Sequence, residues 1–231
     1  MLLLLDQPKV MLAIALSLLV AIPAHCVVQA AVARAVGDRA PAATGRLNPD
    51  PRRHFEPFGV IAMLLAGIGW NKPVPFQEPR FRGSRSRFTL AVLSGPLTNL
   101  ALATLGLVAL KLLAGDAFAS TEGFQRVTGR PGFGALLALE FAIVNAAVAA
   151  LTILPIPPLD GARILWVYAP RTAGWQNARY QLEERNIGLG ICLILMLPLF
   201  GSGTGLLLRL TLSIAQAFLD PVASALGLAV V

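Results

Sequence analysis

Asp160 stands directly after a long apolar run, inside Leu154-Pro-Ile-Pro-Pro-Leu-Asp-Gly-Ala-Arg163. A carboxylate in such surroundings is costly and is a functional-site candidate by default. Its candidate partner is His25, which lies in another apolar stretch with Gln29 four residues further on. Side chains at i and i+4 share one face of a helix. Two histidines at that spacing, with a glutamate after the first, make the helical half of a zinc site. The imidazoles hold the metal and the glutamate takes a proton from metal-bound water. A third protein ligand completes the set and leaves one position open. This chain reads His25-Cys26-Val27-Val28-Gln29. Gln29 therefore stands at the second ligand place, Cys26 at the place of the base, and Asp160 is available as the third ligand.

Both departures act against one mechanism. A neutral amide is a poor zinc ligand beside imidazole or thiolate. A thiol does not simply replace a carboxylate base, and a general base typically contributes about 10²–10⁴-fold. Other chemistry remains open to these residues. Cys26 could bind metal as a thiolate with His25 and Asp160, although adjacent helix positions point about 100° apart. His54 could serve as a substitute ligand; its plain reading is a loop or interface histidine. Asp160 and Glu140 could form a proton-relay or ion site of a transporter, but the chain shows no inverted repeat. Asp160 could also be purely structural, paired with Arg163 or with helix N-terminal amides. Glu140 would then face the bundle interior.

The elements that must position these residues are membrane helices. Of 231 residues, 56% are hydrophobic and only 13% charged, with a mean hydropathy of +0.70. Soluble domains carry about 25% charged residues. The length suits one bundle of about four to six spans of roughly 20 apolar residues each. The net charge of +7 comes almost wholly from arginines placed between apolar runs. That distribution follows the positive-inside rule and speaks against nucleic-acid binding. Cys26 and Cys192 both lie in apolar runs, and no disulfide is expected.

Residues 9–36 form the first span, with His25 in its second half. Lys9, the apolar stretch 11–22 and Ala24 imitate a secretory leader, but the apolar pattern runs on to Val36, so a retained span fits better. Two basic segments follow. One carries Arg34, Arg39, Arg46, Arg52 and Arg53, the other Lys72, Arg80, Arg82, Arg85 and Arg87. They should share one side of the membrane, so the 14 apolar residues between them, 57–70, enter and return rather than cross. Residues 88–114 are the next span. The loop 115–130, with Asp116 and Glu122 against Arg126 and Arg130, reads as the outer side. Residues 131–154 cross back, 155–186 are inside, and 187–208 form another span. The last 22 residues read as a further short helix or an interfacial segment. Gly95-Pro96 suggests close helix packing or a kink. The arginines at 80–87 read as a membrane-surface anchor, and Trp70, Trp166 and Trp175 as interfacial aromatics.

Several motifs together resemble the site-2 protease family (peptidase family M50), especially its short bacterial branch. Gly45-Arg-Leu-Asn-Pro49 and Arg53-His-Phe-Glu-Pro-Phe-Gly59 are similar to the family's segment after the metal-binding helix. Gly69-Trp-Asn-Lys-Pro-Val-Pro75 and Ser94-Gly-Pro-Leu-Thr-Asn99 resemble two further elements, and Leu154–Gly161 the aspartate-bearing one. The family pattern has Phe-Asn before Leu-Leu-Pro where this chain has Leu151-Thr152, while Asn145 matches. The resemblance covers residues 5–190 and implies a zinc-dependent endopeptidase acting on membrane substrates. It places the metal ligands at His25, Gln29 and Asp160, the base at Cys26, and a possible groove at Asn99, Asn145 and Thr152.

The expectation is an all-α integral membrane protein forming a single domain over 1–231, with an extra helical segment at 205–231. It is expected in a bacterial cytoplasmic membrane with basic loops inside. The altered site points to a pseudoprotease that holds no metal and no other cofactor and binds partner membrane proteins or their transmembrane helices. The competing expectation is an active zinc metalloendopeptidase with an atypical site.

Overall fold

A computed structural model describes residues 7–77, 81, 84–114, 132–197 and 204–228, and regular structure among these is helical. Helix α1 (Pro8–Val36) starts on a proline, whose missing N–H costs nothing in a first turn, and stops at Gly37 with φ 121°. Its 29 residues reach about 44 Å, enough to cross a hydrocarbon core of roughly 30 Å. After the short α2 (Ala40–Ala43) and a 3₁₀ turn at Pro51–Arg53 comes α3 (Pro57–Ala66). The longest helix is α4 (Arg85–Ala114), and α5 (Phe133–Thr152) follows. Then come α6 (Asp160–Tyr168) and α7 (Ala173–Arg179), the latter running on through a π-helical turn at Tyr180–Glu184. The described chain ends with α8 (Ile187–Met196) and α9 (Leu206–Ala225). Four helices, α1, α4, α5 and α9, are long and apolar enough to cross a membrane, so this is an all-helical integral membrane protein.

Helices α1, α4 and α5 pack against one another, and α9 leans on α5. The contact face of α5 is built from alanines, with Ala138, Ala142, Ala146, Ala149 and Ala150 all buried. Opposite Ala142 stands Gly106 of α4, where a methyl group would come within 3.0 Å of the Ala142 backbone. Water does not drive helices together in lipid, so small residues that allow close backbone approach do the work instead.

The arm at 57–70 turns back on itself. Helix α3 has ten residues, about 15 Å, half the thickness of the core. Glu56 caps its start by accepting from the Gly59 N–H at 2.6 Å, and left-handed Gly67 ends it. The ends of the arm then meet: Phe55 and Asn71 form an antiparallel bridge, and the Lys72 N–H donates to the His54 carbonyl at 2.7 Å. Gly59 and Gly69 let the two limbs close, since a methyl on Gly69 would strike the Gly59 carbonyl. Trp70 is tucked beneath, 1% exposed, among core residues including Ile68 and Ala62. This corrects its reading as an interfacial aromatic. Trp166 is largely buried as well, and only Trp175 has an exposed ring.

The C-terminal reading also needs correction. Residues 187–208 are not one span. Helix α8 stops at Met196, and Leu197 is extended, as the following Pro198 favours. A new helix of 20 residues then begins at Leu206, and it, rather than 187–208, has spanning length. The expected outer loop at 115–130 lies outside the described residues, as do Arg80 and Arg82 of the second basic segment.

Candidate functional site

His25, Gln29 and Asp160 meet in the middle of the bundle, all three buried. Helix α1 supplies the first two from one face. Asp160 opens α6, which follows the Leu154–Leu159 turn and packs against α4. The His25 Nε2 lies 2.8 Å from Asp160 Oδ2, and the Gln29 Nε2 donates to the same oxygen at 2.8 Å.

The network fixes the histidine's protons. Asn99 Nδ2 donates to the Ala21 carbonyl at 3.1 Å and to Asn145 Oδ1 at 2.9 Å, which leaves its Oδ1 as an acceptor. His25 Nδ1 sits 2.6 Å from that oxygen and must therefore carry the hydrogen. Asn145 completes the chain by donating to the Phe141 carbonyl at 2.8 Å. With Nδ1 occupied, Nε2 is the nitrogen turned toward Asp160, and one proton lies between them. An Nδ1–H held in this way is also how proteins orient a metal-binding imidazole.

Two residues of α4 make room for this arrangement. A methyl on Gly95 would run into the imidazole of His25, so the glycine is the floor of the histidine's seat. Pro96 has no N–H and cannot bond the carbonyl of Val92 four residues back. The Gln29 amide fills that gap, its Nε2 donating to Val92 O at 2.7 Å. Both acceptors claim the NH₂ end of Gln29, and its Oε1 has no partner among the described residues.

The aspartate's wider surroundings tie the arm to the site. Arg163 Nη1 is 3.9 Å from Asp160 Oδ1, a loose contact beside the direct bonds from α1. Arg163 spends its other end on the Val74 carbonyl and stacks its guanidinium 4.7 Å from the Phe76 ring centre. Arg46 holds the same extended segment through Pro73 O at 3.1 Å. Asp38 pins it too, accepting from Gln77 N–H at 2.7 Å and Ala40 N–H at 2.9 Å. Sequence reasoning named Arg163 only as a partner for Asp160 and did not find the hold that Arg163, Arg46 and Asp38 have on this segment. Their signal was weak, since each is one charge among many in basic loops.

The other singled-out residues stand apart from the centre. Cys26 is fully buried beside it as a free thiol. His54 bonds the Asn48 carbonyl at 2.7 Å, and burial pushes its pKa below the ordinary value. Thr152 donates back to Val148 O in its own helix at 2.8 Å and does not enter the network. Asn99, Asn145 and Thr152 are all fully buried. Glu140 is partly buried two turns into α5 and makes none of these bonds.

The donors facing the centre are thus one imidazole, one carboxylate and the NH₂ end of an amide. No group of three or more His, Cys, Asp or Glu placed to hold a metal ion occurs among the described residues. With the amide turned this way, the side chains that face the centre with a lone pair are His25 and Asp160, fewer than the four donors of the N, S or O type that a zinc ion takes.

Comparison with known proteins gives the lineage. The chain is 33% identical over 150 residues to "Putative zinc metalloprotease YwhC" of Bacillus subtilis (strain 168), covering 65% of this chain and 66% of that protein. It is 34% identical over 130 residues to "Putative zinc metalloprotease Rip2" of Mycobacterium tuberculosis (strain H37Rv), covering 54% of this chain and 45% of that protein. The chain thus spans just under two thirds of one relative's length and under half of the other's. No family model and no solved structure matches. From these relatives, and from the motif residues that converge around His25 and Asp160, the chain belongs to the site-2 protease family.

Proposed function

We propose that this chain is a catalytically inactive member of its family, a pseudoprotease of the bacterial cytoplasmic membrane with its basic loops on the inner face. It acts by binding the transmembrane helices of other proteins or as an interaction subunit of a membrane complex. One observation carries the reading: His25 Nε2 and Gln29 Nε2 both close onto Asp160 Oδ2 at 2.8 Å. The point where three ligands would hold an ion is bridged by direct hydrogen bonds. Cys26, at the place of the base, has no carboxylate to activate water. Apolar stripes support a binding role: Leu12, Leu16 and Leu19 on α1, and Phe58, Ile61 and Leu65 on α3, are exposed and need lipid or a partner helix against them.

The test is restoration. Cys26→Glu with Gln29→His should bring zinc to about one per chain and create cleavage of a membrane-tethered reporter, with a gain of at least about 10²-fold. The unaltered chain should show neither. Cleavage by the unaltered chain equal to that of the restored one, or stoichiometric zinc in it, sinks the proposal and favours an active metalloendopeptidase with an atypical site.

A further inference from the structure

We propose that an arginine-lined pocket at the start of α4 holds the headgroup phosphate of an anionic phospholipid. The pocket measures about 540 Å³, within the range of small-ligand sites. It lies between the first turn of α4 and the α6–α7 segment, away from the His25 centre. Arg85, Arg171 and Arg179 reach its wall, and among the described residues no acidic side chain lines it. Arg179 is held by Glu183 at 2.9 Å, which fixes that guanidinium at the edge. Arg85 lies 5.7 Å over the ring of Tyr168, so its position is set by the protein as well. A guanidinium binds phosphate oxygens through paired N–H groups, and several around one cavity make an anion site.

The rest of the pocket is aromatic. Phe88 forms one side, and Trp166 and Trp175 meet edge to face at 6.1 Å between centres on the other. The indole N–H of Trp166 is buried without an acceptor among the described residues. A free anion needs no such walls, whereas a lipid presents a charged head joined to an apolar body. The location decides for the lipid. Arg85 and Phe88 start a membrane-length helix whose Leu90 and Leu97, further along, are 52% and 56% exposed. A phosphate seated at Arg85 and Arg171 leaves its acyl chains level with those leucines. Basic pockets at the ends of membrane helices suit anionic lipids.

The experiment uses the full chain in neutral detergent, with dioleoyl phosphatidylglycerol as probe and native mass spectrometry as readout. Wild type should retain the lipid, and Arg85→Gln with Arg171→Gln should weaken retention about tenfold or more. Ala169→Asp, which adds a negative charge at the pocket wall, should act in the same direction and serves if the arginine variant folds poorly. Arg34→Gln with Arg209→Gln, two exposed arginines elsewhere, should change nothing. Equal retention by both pocket variants overturns the proposal. So does equal retention of dioleoyl phosphatidylcholine. Displacement of the lipid by millimolar inorganic phosphate overturns it too, in favour of a free-anion site.

Discussion

The polar centre has two sides that differ in what they retain. The α4 and α5 side keeps everything needed to aim a histidine: Gly95 as a floor, Asn99 accepting from Nδ1, and Asn145 locking Asn99. The α1 and α6 side holds His25 and Asp160 but carries Cys26 and Gln29 where a base and a second imidazole belong. The backing orients an imidazole, while the face sets no second imidazole beside it. The difference teaches that this backing has a second use. It holds three membrane-length helices and the start of a fourth in register, and that need persists whatever stands at positions 26 and 29.

Substitutions can break or sharpen this contrast. The largest effect should come from Asp160→Leu, which strips His25 and Gln29 of their shared acceptor. Breaking a buried pair from one side costs about 3–5 kcal/mol, read as a lowered thermal midpoint in detergent. The double variant His25→Leu with Asp160→Leu should recover much of that loss; a double variant worse than the single would show that the two residues do not act as a pair. Next comes Gly95→Ala, whose methyl enters the imidazole's space and should cost about 1–3 kcal/mol. A neutral result there would mean that the seat is loose and the backing is not rigid. Asn99→Leu leaves His25 Nδ1 and Asn145 short of partners, and each stranded buried group costs about 1–3 kcal/mol. Its loss should shrink when Asn145 is changed to leucine as well. Thr152→Val should be the mildest, within about 0.5 kcal/mol, because Thr152 bonds only its own helix. A Thr152 effect as large as that of Asn99 would place it in the centre after all.

Much of this was legible in the sequence because the chemistry-bearing residues sit in motifs with fixed local geometry. His25 and Gln29 share a helix face by spacing alone. Asp160 follows a Pro-Ile-Pro-Pro turn that no helix can continue through, so it had to open a new element. The arm at 57–70 followed from the two basic segments on either side of it. What escaped was what depends on tertiary contact or on breaks inside apolar runs. Hydrophobicity alone does not distinguish one span from two helices with a break between them, so 187–208 reads as a single span. Trp70 looked interfacial because tryptophans often are, and only the closure of Gly59 on Gly69 shows why it is core. Thr152 is adjacent in sequence to the aspartate motif, yet its hydroxyl turns back along α5.

Pro96 has a consequence for what position 29 can become. By leaving the Val92 carbonyl bare in the middle of the bundle, it demands a donor from α1 at that level. A leucine or valine at 29 would strand that carbonyl in apolar surroundings, at a cost comparable to a lost buried hydrogen bond. Side chains with an N–H of sufficient reach, glutamine and histidine among them, meet the demand. The substitutions open to this position are thus filtered by a proline on another helix, independently of any catalysis. On the proposed reading, a glutamine here gives up an imidazole without opening a hole in the hydrogen bonding of the bundle.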